Sequence, residues 1–407
     1  MTFNYQTGQL FCEQVALDSL ANQVGTPCYV YSLDRLRANY QRLALAFDAL
    51  QPTIHYSLKA NAGLAVIRAL IAEGAGLDAV SGGEIYRALA AGADPAQIVF
   101  AGVGKTADEL RYALEQRIGC FNVESKQELL RLNNLAANLG VRATVSLRFN
   151  PDVQAHTHHY IATGHAAAKF GISEVETREI LTSCDSYPAL AITGLHVHIG
   201  SQLESAIETG QAAQRAVTIM DEFPQLCRLN MGGGFPVAYN DETYPPIEDF
   251  AAVIIAAIGS RKLMLGLEPG RYIVADCGAL LVTVQYVKHV GDQRIIITDG
   301  GMTELIRPAL YGARHPIRTV LSVDGVVSEA QVVGPICESA DVLHPAVSLP
   351  DIQPGARLAV MMVGAYGSVM GSNYNARPRP PEIVVEGDTW KIARRRETWA
   401  DLINFEQ

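Results

Sequence analysis

One lysine follows a strand-like run so closely that its amine could act as a nucleophile. Lys59 comes directly after the apolar residues 53–57, in the motif YSLKAN. If that run is a buried strand, desolvation lowers the pKa of the amine and frees it for Schiff-base chemistry. The alternative is a lysine that keeps its charge in an ion pair or extends it into solvent, because buried lysines without a partner are rare.

Two glycine segments could bind a phosphate group. Residues 232–234 are all glycine and Gly270 follows a later apolar run, and glycine lets backbone N–H groups approach phosphate oxygens closely. Ser201 and Arg271 could add side-chain donors. For three consecutive glycines considered alone, a tight turn without a ligand is the more common interpretation.

A carboxylate and two histidines belong to the same candidate set. Glu268, placed beside the ring nitrogen of a pyridine cofactor, would keep that nitrogen protonated and make the ring a strong electron sink. A salt bridge to Arg271 is the alternative. His196 and His198 are two residues apart and face the same side of a strand, so they could bind a metal. One imidazole could instead stack on an aromatic cofactor, and for His196 a core histidine is the favoured interpretation.

Three residues of the C-terminal third have a chemical and an ordinary interpretation. Cys337, in GPICESAD, could be a positioned acid or a small buried apolar residue. Arg307, in GMTELIRPALYG, could bind a carboxylate through two N–H groups or be a surface or ion-paired arginine. Tyr366, in VGAYGS, could donate to a phosphate or pack as an aromatic side chain.

The elements that must position these residues alternate between strands and helices. The predicted strands are residues 53–57, 77–80, 98–101, 120–123, 143–148, 192–198, 227–231 and 264–267. Ser/Thr-x-x-Glu patterns mark helix starts at Ser81, Thr106, Ser125 and Ser173. Eight strand–helix repeats predict an α/β fold, a (β/α)8 TIM barrel with its active site at the carboxyl ends of the strands. A doubly wound open sheet is the alternative.

A change of pattern after about residue 278 predicts a second, C-terminal β domain. Strand-like runs follow one another there with little helix between them, at residues 280–290, 294–298, 326–333, 358–363, 382–386 and 389–393. Residues 29–31 are expected to pair with these late strands. We therefore predict a barrel from residue 33 to 277, and a β domain, sandwich- or barrel-like, made of residues 1–32 and 278–407.

Composition and charge narrow the class of protein. The chain has 407 residues, 49% hydrophobic and 18% charged, which suits a folded protein with a large core. A formal charge of −10 argues against a nucleic-acid partner. The longest apolar run, residues 250–258, is too short to cross a bilayer, and no signal peptide is expected. Seven scattered cysteines without a CxxC pair favour a reduced, cytoplasmic protein and no metal site.

The motifs resemble, in order and over nearly the whole chain, those of the fold-type III pyridoxal-phosphate-dependent decarboxylases, whose barrel is similar to that of alanine racemase. The motifs that carry the resemblance are CYVYSLDRLR, YSLKAN, LDAVSGGE, GVGKT, CFNVES, HVHIGSQ, GGGFP, EPGR, GMTELIRPALYG, GPICES, AYGSVMGSNYNARPRPPE and RRRETWADL. A single glycine motif would be a weak signal, whereas the ordered series is specific.

The resemblance implies a role for each candidate residue. Lys59 matches the Schiff-base lysine, His198 the histidine stacked on the pyridine ring, and Glu268 the partner of the ring nitrogen. Cys337 matches the acid that reprotonates the carbanion, delivered from the other subunit of a homodimer. The implied pyridoxal 5'-phosphate site is Lys59, Asp78, His198, Ser201, Gly233, Gly234, Glu268, Gly270, Arg271 and Tyr366. The implied substrate site is Arg271, Arg307, Tyr311, Glu338 and Tyr366.

The implied reaction is loss of CO2 from the D-centre of meso-2,6-diaminopimelate, giving L-lysine as the last step of lysine biosynthesis. The distal end of this amino acid carries both charges, and Arg307 and Glu338 could bind them. Ornithine, arginine or carboxynorspermidine decarboxylases of the same fold are alternatives that need an anionic group for a distal cation. A catalytically silent, partner-binding homologue would have no need of Lys59 and Cys337. A metallohydrolase would use the two histidines of HVHIGSQ.

Overall fold

The structure is a computed structural model that describes residues 2–153 and 170–406. Its residues group into two compact units. The barrel unit comprises residues 39–238 and 243–272, and the β unit comprises residues 1–38, 239–242 and 273–407. The domain boundaries derived from the sequence, at residues 32/33 and 277/278, stay predictions.

The N-terminal segment belongs to the β unit. It contains the strands β1 (Phe3–Gln6), β2 (Gln9–Cys12), β3 (Val15–Ala16) and β4 (Cys28–Ser32) and the helix α1 (Leu17–Val24). The helix α2 (Leu33–Ala46) begins in this segment and continues into the barrel unit. The first three strands form a small antiparallel sheet. Leu10 and Leu17 from this segment share one apolar core with Leu281 and Ile383, so burial ties the N-terminus to the end of the chain.

Eight parallel strands close into a barrel in the barrel unit. They are β5 (Thr53–Ser57), β6 (Gly76–Ala79), β7 (Ile98–Phe100), β8 (Cys120–Val123), β9 (Ala143–Arg148), β10 (Leu190–His196), β11 (Arg228–Asn230) and β12 (Met264–Leu267). Each strand pairs with the next, and β12 pairs with β5. The predicted (β/α)8 barrel is confirmed, and the open sheet is wrong.

Within the described residues, eight helices accompany these strands, and four of them begin where the capping patterns predict. They are α3 (Leu64–Ala72), α4 (Gly82–Ala90), α5 (Ala107–Glu115), α6 (Lys126–Leu139), α7 (Glu174–Thr182), α8 (Ile207–Glu222), α9 (Ile247–Ile258) and α10 (Arg271–Val274). Ser81, Thr106, Ser125 and Ser173 each cap their helix through a side-chain oxygen. The Glu84 and Glu128 carboxylates accept from the backbone N–H groups of Val80 and Glu124, and so fasten helix starts to strand ends.

The β unit is built on a nine-stranded sheet that takes up β4. Its other strands are β13 (Gly278–Val290), β14 (Gln293–Thr298), β15 (Ile317–Thr319), β16 (Val327–Val333), β17 (Val342–Pro350), β18 (Arg357–Met361), β19 (Glu382–Glu386) and β20 (Thr389–Arg394). The order is β17-β16-β14-β13-β4-β19-β20, with β18 on β13 and β15 on β18. Because β4 lies between β13 and β19, the predicted pairing of residues 29–31 is confirmed.

Two strands and two short helices complete the β unit beyond the prediction. The sequence analysis missed β15 and β17, and β17 contains Pro345 and ends at Pro350. Proline in a strand is tolerated at a sheet edge, and β17 is an edge strand here. The helices are α11 (Arg307–Tyr311) and α12 (Trp399–Leu402). Within residues 2–153 and 170–406, no helix combines the length and the apolar character that a membrane span requires.

Candidate active site

Lys59 lies at the carboxyl end of β5, in the single helical turn Leu58–Ala60. Its Nζ is 3.8 Å from Asp78 Oδ2, and 41% of its side chain is exposed. The expected desolvation of this amine is therefore wrong, and the ion-paired alternative describes it. Its role in cofactor binding stays a prediction.

Asp78, at the end of β6, is a buried carboxylate with an unused acceptor atom. Ser57 Oγ donates a 2.6 Å hydrogen bond to its Oδ2, whereas its Oδ1 has no hydrogen-bond partner among the described residues. Burial raises the pKa of Asp78 to about 6, the charge of Glu268 acts in the same direction, and Lys59 opposes both. A buried polar atom without a partner costs about 1–3 kcal/mol, so a bound polar group would stabilise this site.

Glu268 follows β12 and is held by three side-chain donors. Asn122 Nδ2 and Asn230 Nδ2 each donate a 2.8 Å hydrogen bond to Oε1, and His196 Nε2 lies 2.8 Å from Oε2. Burial alone would raise the pKa of Glu268, but the charge and hydrogen bond of His196 outweigh burial and hold that pKa below its ordinary value. The carboxylate is therefore ionised, and these partners rather than Arg271 hold it.

The three donors leave Glu268 suited to one further bond. A carboxylate has about four acceptor positions, and three are taken here. An ionised carboxylate with one position left can hold a protonated pyridine nitrogen. Sequence analysis missed Asn122 and Asn230, and its core interpretation of His196 is incomplete, because this histidine contacts Glu268. The signal that could have found the two asparagines is their position, because each is a polar residue near the carboxyl end of its barrel strand.

His198 lies just beyond β10 as a neutral imidazole. The backbone N–H of Gly233 donates to its Nδ1 at 3.3 Å, so the ring proton is on Nε2. Burial, together with the charges of Lys59 and Arg148, lowers the pKa of His198 well below its ordinary value. A neutral ring bonded to a backbone N–H suits stacking on an aromatic cofactor. Because His196 contacts Glu268, the interpretation of the two histidines as a metal-binding pair is not favoured.

At Gly233 and Gly234 a side chain would collide with the backbone, and at Gly270 it would be crowded. A Cβ on Gly233 would be 2.3 Å from the Glu268 carbonyl oxygen, and one on Gly234, at φ +98°, would be 2.4 Å from the Gly200 oxygen. A Cβ on Gly270 would be 3.1 Å from those of Ala60 and Ser57. The close approaches at Gly233 and Gly234 explain why glycine is required at these two positions, and all three glycines leave the backbone able to approach a phosphate.

Arg271 and Ser201 add side-chain donors to this part of the barrel unit. Arg271 is buried, and its Nη2 donates to Ser201 Oγ at 3.3 Å. A buried guanidinium beside a hydroxyl group provides the positive charge and the directional N–H groups that a phosphate or carboxylate requires. The barrel unit therefore contains donors for an anion as well as Glu268 for a protonated ring.

In the β unit, Arg307 is buried among aromatic rings. Its guanidinium carbon lies 5.4, 5.8 and 5.9 Å from the ring centres of Tyr239, Tyr311 and Tyr366. Its Nε donates to His315 Nε2 at 3.3 Å. The interpretation of Arg307 as a surface residue is thus wrong, because the side chain is buried and surrounded by rings. Tyr366 has a left-handed backbone, at φ +58°.

Cys337 and Glu338 are exposed in a loop of the β unit. The Cys337 backbone N–H donates to Asn375 Oδ1 at 2.8 Å. Asp341 accepts from the N–H groups of Met302 and Ile336 at 2.6 and 2.7 Å, and so fixes the loop beside the segment that leads to α11. Exposure excludes the interpretation of Cys337 as a buried apolar residue and leaves its thiol accessible.

Comparisons with known proteins agree with this chemistry. Residues 33–275 match the family described as pyridoxal-dependent decarboxylase, pyridoxal binding domain. A diaminopimelate decarboxylase of Pseudomonas fluorescens is 44% identical over 98% of this chain and 97% of its own length. A crystal structure of diaminopimelate decarboxylase from Helicobacter pylori with L-lysine is 38% identical, with a TM-score of 0.92 over 96% of this chain and 99% of that one. The M. jannaschii enzyme with L-lysine is 34% identical, with a TM-score of 0.95 over 100% and 98%.

The chain therefore belongs to the pyridoxal-dependent decarboxylases and, within that family, to the diaminopimelate decarboxylases. The predicted resemblance and the predicted cofactor, pyridoxal phosphate, are confirmed. All three relatives are diaminopimelate decarboxylases, whereas a lysine/ornithine decarboxylase from Vibrio vulnificus is 25% identical with a TM-score of 0.81, so the comparisons support the main prediction rather than that alternative.

Proposed function

We propose that this chain removes the D-centre carboxylate of meso-2,6-diaminopimelate as CO2 and forms L-lysine, with pyridoxal phosphate as cofactor. The observation that carries the proposal is the buried, ionised Glu268, which has three donors and one acceptor position left. Lys59 is close enough for its charge to lower the pKa of Glu268 further. This pairing of an accessible amine with a carboxylate suits the two ends of a pyridoxal ring.

The residues present fit the cofactor. Pyridoxal phosphate, when bound, withdraws electrons from the α-carbon of an amino acid, so that the bond to its carboxylate can break. The unpartnered Asp78 Oδ1, the last acceptor position of Glu268 and the glycine backbone offer the contacts that such a group needs. The residues that hold the cofactor in this proposal are Lys59, Asp78, His198, Ser201, Gly233, Gly234, Glu268, Gly270, Arg271 and Tyr366.

Each residue of the barrel unit then has a defined task. The Lys59 amine holds the aldehyde carbon, and Glu268 keeps the ring nitrogen protonated. His198 covers one face of the ring without adding charge, because its imidazole is neutral. Ser201 and Arg271 donate to the phosphate. Together these residues would hold the ring in one orientation, against which the bound substrate can be aligned.

A proton must replace the departing CO2 at the same carbon. The Cys337 thiol donates it in this proposal, and the thiol comes from the second subunit of a homodimer. Support comes from the exposure of Cys337 and from the Asn375 hydrogen bond that fixes its backbone. In the same proposal Arg271, Arg307, Tyr311 and Tyr366 bind the distal carboxylate and Glu338 binds the distal ammonium group. A cytoplasmic enzyme accords with the seven unpaired cysteines.

The test is product analysis of the purified protein loaded with pyridoxal phosphate. It receives meso-diaminopimelate, ornithine, arginine and lysine in separate reactions, and CO2 and amines are quantified. We expect CO2 and L-lysine in equal amounts from diaminopimelate alone. CO2 from ornithine or arginine instead would overturn the substrate assignment, and a protein that holds the cofactor but releases no CO2 would support the silent homologue.

The homodimer needs a separate test, because it determines which copy supplies the thiol. A mixture of Lys59→Ala and Cys337→Ala chains can form hybrid dimers with one intact pair of residues. If the thiol crosses between subunits, mixing restores about a quarter of the wild-type activity per chain, since random pairing gives one intact site in half of the dimers. No recovery after confirmed subunit exchange would place both residues of a site in the same chain.

A further inference from the structure

Arg307 is bonded through its Nε rather than through its outer nitrogens alone. Nε donates to His315 Nε2 at 3.3 Å, and His315 is fully buried. A bond at Nε fixes the plane of a guanidinium, because Nε and both Nη groups lie in that plane. The direction in which Arg307 presents its Nη groups is therefore coupled to the position of one imidazole ring.

His315 is itself held in a defined tautomer. Its Nδ1 lies 3.0 Å from the carbonyl oxygen of Met361, which can only accept, so the proton is on Nδ1 and Nε2 is the acceptor. The ring also meets Tyr239 edge to face, at 5.1 Å between ring centres and 85° between planes. Two sides of the imidazole are thus fixed before it contacts Arg307.

The chain path explains how a residue eight positions later reaches Arg307. Helix α11 ends at Gly312, which has φ +63° and whose N–H donates to the Pro308 oxygen at 3.0 Å. This left-handed turn reverses the chain. His315 therefore returns to the first residue of the helix, and Tyr239 contacts both side chains.

We propose that His315 is a positioning residue for substrate recognition: it orients Arg307 so that the guanidinium receives the distal carboxylate of the substrate. This inference rests on the proposed function, because it takes Arg307 as the residue that binds that carboxylate. His315 acts through Arg307 and contacts neither the reacting carbon nor the cofactor. Its loss should therefore change the preference for ligands with a distal carboxylate more than the rate of the chemical step.

Two ligands that differ by one carboxylate test this role. L-Lysine has the distal carboxylate and 1,5-diaminopentane lacks it. Dissociation constants for both are measured by calorimetry on the protein loaded with pyridoxal phosphate. We expect His315→Phe, which keeps a ring of similar size but removes both hydrogen bonds, to weaken L-lysine binding about tenfold. Binding of 1,5-diaminopentane should change less than about twofold.

Three further variants make the result decisive. His315→Asn retains a polar group that is too short to bond both Met361 and Arg307, and it should show the same selective loss if His315→Phe does not fold. His344→Gln is the matched control, because His344 is another buried histidine of the β unit and bonds the Ala346 N–H instead. Its affinities should equal those of the wild type.

Arg307→Lys separates failure of this inference from failure of the proposed function. If Arg307→Lys weakens L-lysine selectively and the His315 variants do not, the positioning role of His315 is overturned and the assignment of Arg307 stands. If Arg307→Lys affects both ligands equally, Arg307 does not bind the distal carboxylate, and the proposed function loses the residue assigned to recognise that group. Equal weakening of both ligands by His315→Phe also overturns the inference.

Discussion

Two clusters of buried charge lie in the same barrel unit, and they differ in how their charges are balanced. The balanced cluster consists of Lys105, Glu128, Arg148 and Glu124. Lys105 Nζ donates at 2.7 Å to Glu128 and to the carbonyl oxygens of Gly102 and Asn122. Arg148 pairs with Glu124 at 2.7 Å. Each carboxylate in this cluster has its own cation, as burial of charge requires.

The unbalanced cluster consists of Asp78, Glu268, His196 and the amine of Lys59, and we call it unbalanced because the cation beside Asp78 is exposed rather than buried with it. Its two carboxylates repel each other, and the charge of Glu268 therefore contributes to the raised pKa of Asp78. The cation nearest to Asp78 is exposed and lies 3.8 Å away. Asp78 Oδ1 has no partner within the described stretches of the chain.

The difference indicates which buried charges stabilise the fold and which are suited to binding a ligand or to catalysis. In the balanced cluster every carboxylate already has a cation, and the contacts of the cluster hold helix starts against strand ends. An unbalanced cluster costs stability unless another group completes it, and such imbalance is typical of active sites. The comparison predicts opposite effects on stability when a charge is removed from each cluster.

The largest effect is expected at Lys59. Lys59→Ala should lose the yellow colour of the bound cofactor on gel filtration, and activity should fall roughly 10⁴-fold, because Lys59 is the amine that holds the aldehyde in the proposed function. Lys126→Ala is the control, since Lys126 is an exposed lysine at the start of α6. A Lys59→Ala protein that stays yellow and active would remove Lys59 from the site.

The balanced cluster should respond through stability. Lys105→Met leaves Glu128 buried without its cation and should lower the unfolding free energy by about 3–5 kcal/mol. The double variant Lys105→Met, Glu128→Met should recover much of that loss. Urea unfolding measures both. A single variant as stable as the wild type would show that the pair is not needed for the fold.

The unbalanced cluster should respond in the opposite sense. The folded pKa of Asp78 is about 6 against an ordinary 3.8, so ionisation costs the folded chain stability that is present below pH 3.8 and lost as pH rises through 6. Asp78→Asn should therefore raise the unfolding free energy by roughly 3 kcal/mol at pH 8 and change it little at pH 4. Unfolding curves at both pH values check this, and a destabilised variant at pH 8 would contradict the comparison.

The smallest effect is expected at His196. His196→Gln keeps a donor for Glu268 but removes the charge that lowers its pKa. Affinity for pyridoxal phosphate should fall roughly tenfold, about one pKa unit of lost interaction, while stability stays close to that of the wild type. Titration of the apoprotein with the cofactor measures the affinity. Unchanged affinity would mean that the two asparagines suffice.

The barrel could be predicted from the sequence because strand and helix patterns recur eight times, with helix caps between them. It was sufficient for Lys59 and Glu268 as candidates because each follows an apolar strand. It did not reveal His196 as a partner of Glu268, since side chains from distant strands meet only after the barrel closes. The exposure of Lys59 and the path that returns His315 to Arg307 depend on turns, whose geometry a linear pattern leaves open.

The most direct test of the unbalanced cluster as the cofactor site is chemical. Borohydride reduction of the yellow protein fixes the pyridoxal group to the amine that holds it, and peptide mass spectrometry identifies that amine. We predict a single pyridoxyl group on the peptide that contains Lys59. A group on Lys105 or another lysine, with Lys59 unmodified, would contradict the assignment of the two clusters.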